Sequence, residues 1–163
     1  MEPAGTCRID AELAAFLESP VMIVIGTGAE GLAEIGRGLG ASVEADGTAL
    51  HVIVSAWQWP GTLAQARATG RIAITFARPA DYVTYQVKGQ VGGVAPLTPA
   101  LEACAARYVA RITEVLAGLG MPPHLTAPWR SERDLVALRI RPAQVFVQTP
   151  GPRAGLPVAG GDA

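Results

Sequence analysis

Several side chains in this sequence combine charge, hydrogen-bonding capacity and flat aromatic surface. Arg37 stands in the run GRGLG with glycine on either side. A guanidinium offers a planar fork of donors that suits a phosphate or carboxylate; an ion pair with Glu34 or Glu44 would use the same group structurally. Ser55, Trp57 and Trp59 follow at every second position. The two indoles could stack on a planar ligand, cover one end of the fold or pack between subunits. Trp59 leads into Pro60-Gly61-Thr62. Proline fits the first position of a helix, whose start presents free N–H groups and a positive dipole end to an anion. Gly61 would allow close approach there, and Thr62 could add a hydroxyl, although the same residues serve equally as a plain helix start. Further along, Thr84, Gln86, Lys88 and Gln90 alternate with apolar residues. That row is either a solvated strand face or the lining of a polar site.

Other chemistries find less support. His51 and His124 are the only histidines, and no spacing of His, Cys and carboxylates suits zinc, so no metal site is expected. No Ser-His-Asp or Cys-His arrangement can be built from spacing. Cys7 and Cys104 stand in no metal or redox spacing and read as two reduced thiols of a cytoplasmic protein.

The elements that must position these residues follow from periodicity and punctuation. Ile9–Glu18 reads as a short helix capped by Asp10. Val21–Thr27 reads as a strand buried on both faces. Leu32–Glu44 reads as a second strand with Ile35, Arg37, Leu39, Ala41 and Val43 on one face and Gly36, Gly38, Gly40 and Ser42 on the other. Glycine at every second position leaves that second face bare, for a close neighbour, a flat ligand or a tight bend. Ala45-Asp46-Gly47 makes a hairpin turn into a third strand, Ala49–Ser55. Pro60–Thr69 is a short helix closed by Gly70. Strands over Ile72–Ala77 and Tyr82–Val91 come next. The longest helix follows, Thr98–Leu119, whose apolar stripe packs on the sheet or between subunits. Met121–Asp134 reads as a polar loop that could line a substrate pocket. A last strand, Leu135–Arg141 and Val145–Gln148, is interrupted at Pro142. Residues 1–150 form one domain, and 151–163 an irregular tail.

The composition narrows the classes. The chain has 163 residues, half of them hydrophobic and 17% charged, against about 25% charged in an average domain. A disordered chain is excluded, and a large buried fraction or an oligomer is implied. A net charge of -1 argues against nucleic acid as a partner. Lys88 is the only lysine among 13 Lys+Arg. With 19 glycines and 13 prolines turns are many. No apolar run reaches the ~20 residues of a membrane span, and no signal peptide is visible.

Strands joined mostly by short turns, with helices between, predict a mainly β fold, a six-stranded antiparallel barrel with peripheral helices. The stretches FLESPVMIVIGTG, EIGRGLGASVEADG, LHVIVSAWQWPGTLAQARATGRIAITF and DYVTYQVKGQV, in that order, resemble the FMN-binding split barrels related to pyridoxamine 5′-phosphate oxidase. The closing RIRPAQVFVQTPGPRAG looks like that family's last strand. The resemblance implies a homodimer holding FMN in a groove between subunits and acting as an oxidoreductase on a small molecule. Arg37 matches the family's phosphate-binding arginine, and Gln86 the glutamine that faces the flavin ring. The lysine expected further along the second strand falls near Ser42, and an Arg-Lys pair expected at the short helix falls on Gly61-Thr62. Ser55, Trp57, Trp59 and Lys88 complete the candidate cofactor shell, Lys88 near the N1–C2=O edge of the ring. The C-terminal signature that binds substrate phosphate in true pyridoxamine phosphate oxidases is not visible, which excludes that specific activity. Some barrels of this superfamily bind haem instead, with His51 then the candidate ligand; a cofactor-free binding protein is the remaining alternative.

Overall fold

Short apolar stretches separated by tight turns give the chain its strands, and the computed structural model, which describes residues 7–158, shows how they close. In chain order the elements are α1 (Ala11–Leu17), β1 (Met22–Ala29), β2 (Leu32–Val43), β3 (Leu50–Ser55), α2 (Pro60–Thr69), β4 (Arg71–Ala77), β5 (Thr84–Pro96), α3 (Pro99–Gly118), α4 (Pro123–Thr126) and β6 (Leu135–Val147). The six strands form one closed barrel in the order β1-β2-β3-β6-β5-β4, every pair antiparallel. This is the mainly β, six-stranded barrel with peripheral helices that the sequence predicts.

Four of the strands send large apolar side chains into the barrel. Ile23 and Ile25 of β1, Val52 and Val54 of β3, Ile74 and Phe76 of β4, and Leu138 and Ile140 of β6 are almost fully buried. β1 alternates buried and half-buried positions, so it is covered fully on one face only, not on both as its apolar run suggests. Asp10 caps α1 by accepting from the Leu13 N–H at 2.8 Å. Phe16 of that helix meets Tyr85 edge-on, 5.0 Å between ring centres, at one mouth of the barrel. α2 packs over the other end, burying Thr62, Leu63 and Ala66. α3, capped by Thr98, lies along the outside of β2 and buries Ala105, Tyr108, Ile112 and Leu116.

β2 departs most from its sequence pattern. Its pairing with β3 shifts between Gly38 and Ala41, a bulge at which Gly40 takes φ +126°. Before the bulge Gly36 and Gly38 face inward, and a Cβ on Gly38 would sit 2.6 Å from Ile23. After it, Ala41 and Val43 pair with the inward Val52 and Leu50. The face therefore changes within the strand. Ala41 and Val43 do not share a side with Arg37, whereas Ser42 does. The glycine-bared face is filled by side chains of the barrel interior.

β6 runs unbroken through Pro142, because the strain is taken by β5 opposite. Gly89 pairs with Pro142 beside a register shift, and a Cβ there would lie 2.3 Å from the Arg141 carbonyl. β5 extends to Pro96, beyond its expected end, paired with β6. The segment 121–134 is not a plain loop: it holds α4 and a 3-10 turn, Ala127–Trp129. Arg130 ties it to α3, with its guanidinium on the Thr113 hydroxyl and on the Thr126 hydroxyl at 2.7 Å. After β6 the chain turns back, and the Val158 N–H donates to the Val145 carbonyl at 2.8 Å; the remainder of the expected tail, 159–163, lies outside the described residues.

Two substitutions test this packing. The buried Tyr108 hydroxyl donates to the Val21 carbonyl at 2.8 Å, so Tyr108→Phe leaves a buried acceptor unpaired and should cost about 1–2 kcal/mol in urea unfolding. Gly89→Ala should cost about 1–3 kcal/mol by overpacking. A Gly89→Ala variant as stable as the parent would show that β5 does not need its bare backbone there.

Candidate functional site

Strand register decides which candidate residues share a surface. On the outer face one row runs Arg37, Val24, Thr75, Gln86, Phe146 across β2, β1, β4, β5 and β6. The next row runs Ile35, Gly26, Ala73, Lys88, Gln144. Arg37 and Gln86 thus lie on one row of one face, three strand spacings or roughly 14 Å apart. The Gln86 amide donates to the Thr75 hydroxyl at 3.3 Å. Lys88 is exposed, its ammonium 4.9 Å from the Phe146 ring centre. Between Arg37 and Gln86 on their row stand Val24 and Thr75; on the next row and beyond, Gly26, Gly28 and Ala73 carry little or no side chain. These form the floor of a groove of about 530 Å³ whose rim includes Arg71, Lys88 and Gln90. Leu32 and Ile35 stand beside it, 72% and 64% exposed.

The other candidates gather at the α2 end. The Arg37 guanidinium lies 4.9 Å from the centre of the Trp129 ring, a cation–π contact. Among the described residues no carboxylate pairs with it, so neither Glu34 nor Glu44 is its partner. Ser55 is buried; its hydroxyl donates to the Arg133 carbonyl at 2.6 Å and accepts from the Gln58 N–H at 3.2 Å. Trp57 is 53% exposed with Arg133 over its ring, while Trp59 packs against the core. Gln58 joins this turn to the 121–134 segment, donating to the Pro128 carbonyl and accepting from the Ser131 N–H. Ser42 lies further along β2, beside α3.

The start of α2 has no side-chain cap, yet an anion already stands there. A Cβ on Gly61 would lie 2.9 Å from the Glu34 carboxyl carbon and 3.0 Å from one of its oxygens. Thr62 turns its hydroxyl toward Gly36 and has no hydrogen-bond partner, although it is buried. A phosphate at this helix would meet the Glu34 carboxylate, and the lysines that could offset that repulsion are absent. The phosphate end of FMN therefore does not fit α2, whereas the flat floor of Gly26 and Ala73, one row from Arg37 and Gln86, accommodates a planar ring. Trp129 and Arg71 escape sequence reasoning. Glu34, weighed in the sequence as a partner of Arg37, is brought by the fold to Gly61 instead.

His51 has a carboxylate beside it that spacing does not reveal. Its Nε2 is 3.0 Å from Glu44 Oε1, and Arg139 grips both oxygens of Glu44 at 2.8 and 3.0 Å. Among the described residues no group of His, Cys, Asp and Glu could hold a metal.

No family model and no curated protein matches the chain. Solved structures do. An F420 reductase aligns with TM-score 0.56 and 16% identity over 84% of this chain and 98% of that one. HupZ of Group A Streptococcus aligns at 0.52 and 15% over 90% and 99%. A candidate pyridoxamine 5′-phosphate oxidase of Lactobacillus delbrueckii aligns at 0.53 and 13% over 90% and 100%. At these identities the likeness shows the fold alone: the chain shares the barrel fold of these structures.

Charge at two places is open to test. Glu34→Gln should destabilise by about 0.3–1 kcal/mol at low salt and by less at high salt, the scale of a carboxylate at a helix N-terminus; an unchanged melting temperature would sever Glu34 from α2. The Arg139 guanidinium and then His51 hold the Glu44 carboxyl below its ordinary value of 4.5. Its contribution is complete above that value and is lost as pH falls through the lowered one. The stability gap between the parent and Glu44→Gln should therefore be full at neutral pH and shrink on acidification. A gap independent of pH would mean the carboxylate's charge plays no part.

Proposed function

We propose that this protein is a small-molecule oxidoreductase that binds the ring of a flavin-type cofactor, FMN or F420, on the outer face of β1, β4 and β5, with a second copy of the chain covering the groove. The register that sets Arg37, Thr75 and Gln86 in one row beside the glycine floor carries this reading. A planar ring could lie on Gly26 and Ala73 without displacing a side chain. Gln86 and Lys88 would orient its polar edge, and Lys88 and Arg71 would hold an anionic substituent. Pairing two copies here would cover Leu32 and Ile35 and exclude water from the ring. When bound, the cofactor would supply hydride or electron transfer, and the chain binding and orientation. Ser42, Ser55, Trp57 and Thr62 then act as parts of the framework. Two free thiols, both raised in pKa by burial, suit the cytoplasm, and no helix among the described residues is long and apolar enough to cross a membrane.

A second reading, a haem-binding or cofactor-free binding barrel, is favoured by one specific observation. Glu34 at α2 and Trp129 over Arg37 occupy the places where the family's phosphate contacts are expected. Absorption of the purified protein separates the two: bands near about 370 and 450 nm mark a flavin, and one near about 400 nm marks haem. Added FMN or F420 should raise the melting temperature. Lys88→Ala and Gln86→Ala should each weaken that binding, Lys88→Ala by about tenfold, the scale of one charge-assisted hydrogen bond. A colourless monomer stabilised by neither cofactor would leave the second reading standing.

A further inference from the structure

A separate cleft opens between α1 and α3, on the far side of Tyr108 from Arg37. It encloses about 390 Å³, and its lining includes Glu18, Ser42, Cys104, Arg107, Tyr108 and Arg111. That is within the range of small-molecule sites. Arg107 and Arg111 stand four residues apart on α3, so their side chains project from the same side of the helix. Both are exposed, and among the described residues neither forms an ion pair. Two guanidinium groups thus bring unspent donors to one concavity.

The floor of the cleft exists because of the β2 bulge, which turns Ser42 outward beneath α3. Tyr108 serves as a wall rather than a donor, since its hydroxyl is committed to Val21. The one carboxylate in the cleft, Glu18, is turned to the strand, where one oxygen accepts from the Val43 N–H at 2.7 Å. Two arginines against one glutamate leave the cleft with net positive charge.

We propose that this cleft binds a small organic anion, a phosphate monoester or a carboxylate, clamped between Arg107 and Arg111 with Ser42 as a third donor. The inference is independent of the cofactor reading and of the groove over β1, β4 and β5.

Inorganic phosphate, phenyl phosphate and benzoate would each be titrated into the full-length protein, followed by backbone amide NMR. The expected result is a saturable shift confined to signals of Ser42, Cys104 and Arg107–Arg111, with phenyl phosphate or benzoate showing which anion class the cleft takes. Arg107→Gln/Arg111→Gln, checked for an unchanged melting transition, should weaken that binding at least about tenfold. Single substitutions serve if the double variant does not fold. No saturable shift with any of the three anions would overturn the proposal, as would shifts spread over all basic residues or shifts that persist in the variant.

Discussion

Closing six strands into a barrel requires a long strand to change direction without losing its partners, and in this protein the bulge between Gly38 and Ala41 of β2 does so. Everything placed around that strand depends on it. Before the bulge, bare glycines let Ile23 and Val52 fill the interior. After it, inward packing passes to Ala41 and Val43, and Ser42 emerges under α3. The seat of α3, the Tyr108–Val21 hydrogen bond and the arginine cleft all follow from one extra residue in one strand.

Electrostatics around the barrel shows a consistent economy. Where the sequence resemblance leads to an expectation of cations for a phosphate, this chain has an uncapped helix, a carboxylate from a neighbouring strand and an arginine stacked on tryptophan. Cations without an ion pair among the described residues include Lys88 and Arg71 at the groove, Arg107 and Arg111 at the cleft, and Arg67 in the last turn of α2.

Much of the fold is legible in the sequence because its punctuation is local. Asp10, Pro60, Gly70, Thr98 and Gly120 mark helix ends through their own backbone and capping chemistry, and each stands at a helix end in the structure. What stays hidden depends on partners far along the chain. Alternation cannot locate a bulge, so the faces of β2 are read correctly as far as Leu39 and wrongly beyond it. Pro142 reads as a break because its accommodation by Gly89 lies some fifty residues away. At the candidate site, the resemblance singles out Arg37 and Gln86, and the structure sets them on one row of one face. Glu34 beside Gly61 and Glu44 beside His51 are contacts between elements, invisible to spacing.

The closed ladder also limits how copies of this protein can meet. An open sheet ends in a strand with unpaired N–H and C=O groups, which invites another chain to add a strand. Here β4 returns to β1, and every strand has a neighbour on both sides over part of its length, leaving stretches such as Leu32–Arg37 of β2 and Gly93–Pro96 of β5 paired on one side only. Backbone templating between barrels is thereby confined to such stretches. Elsewhere recognition of a second molecule goes through side chains, and a change such as Ile35→Lys could alter association without disturbing a single strand pairing.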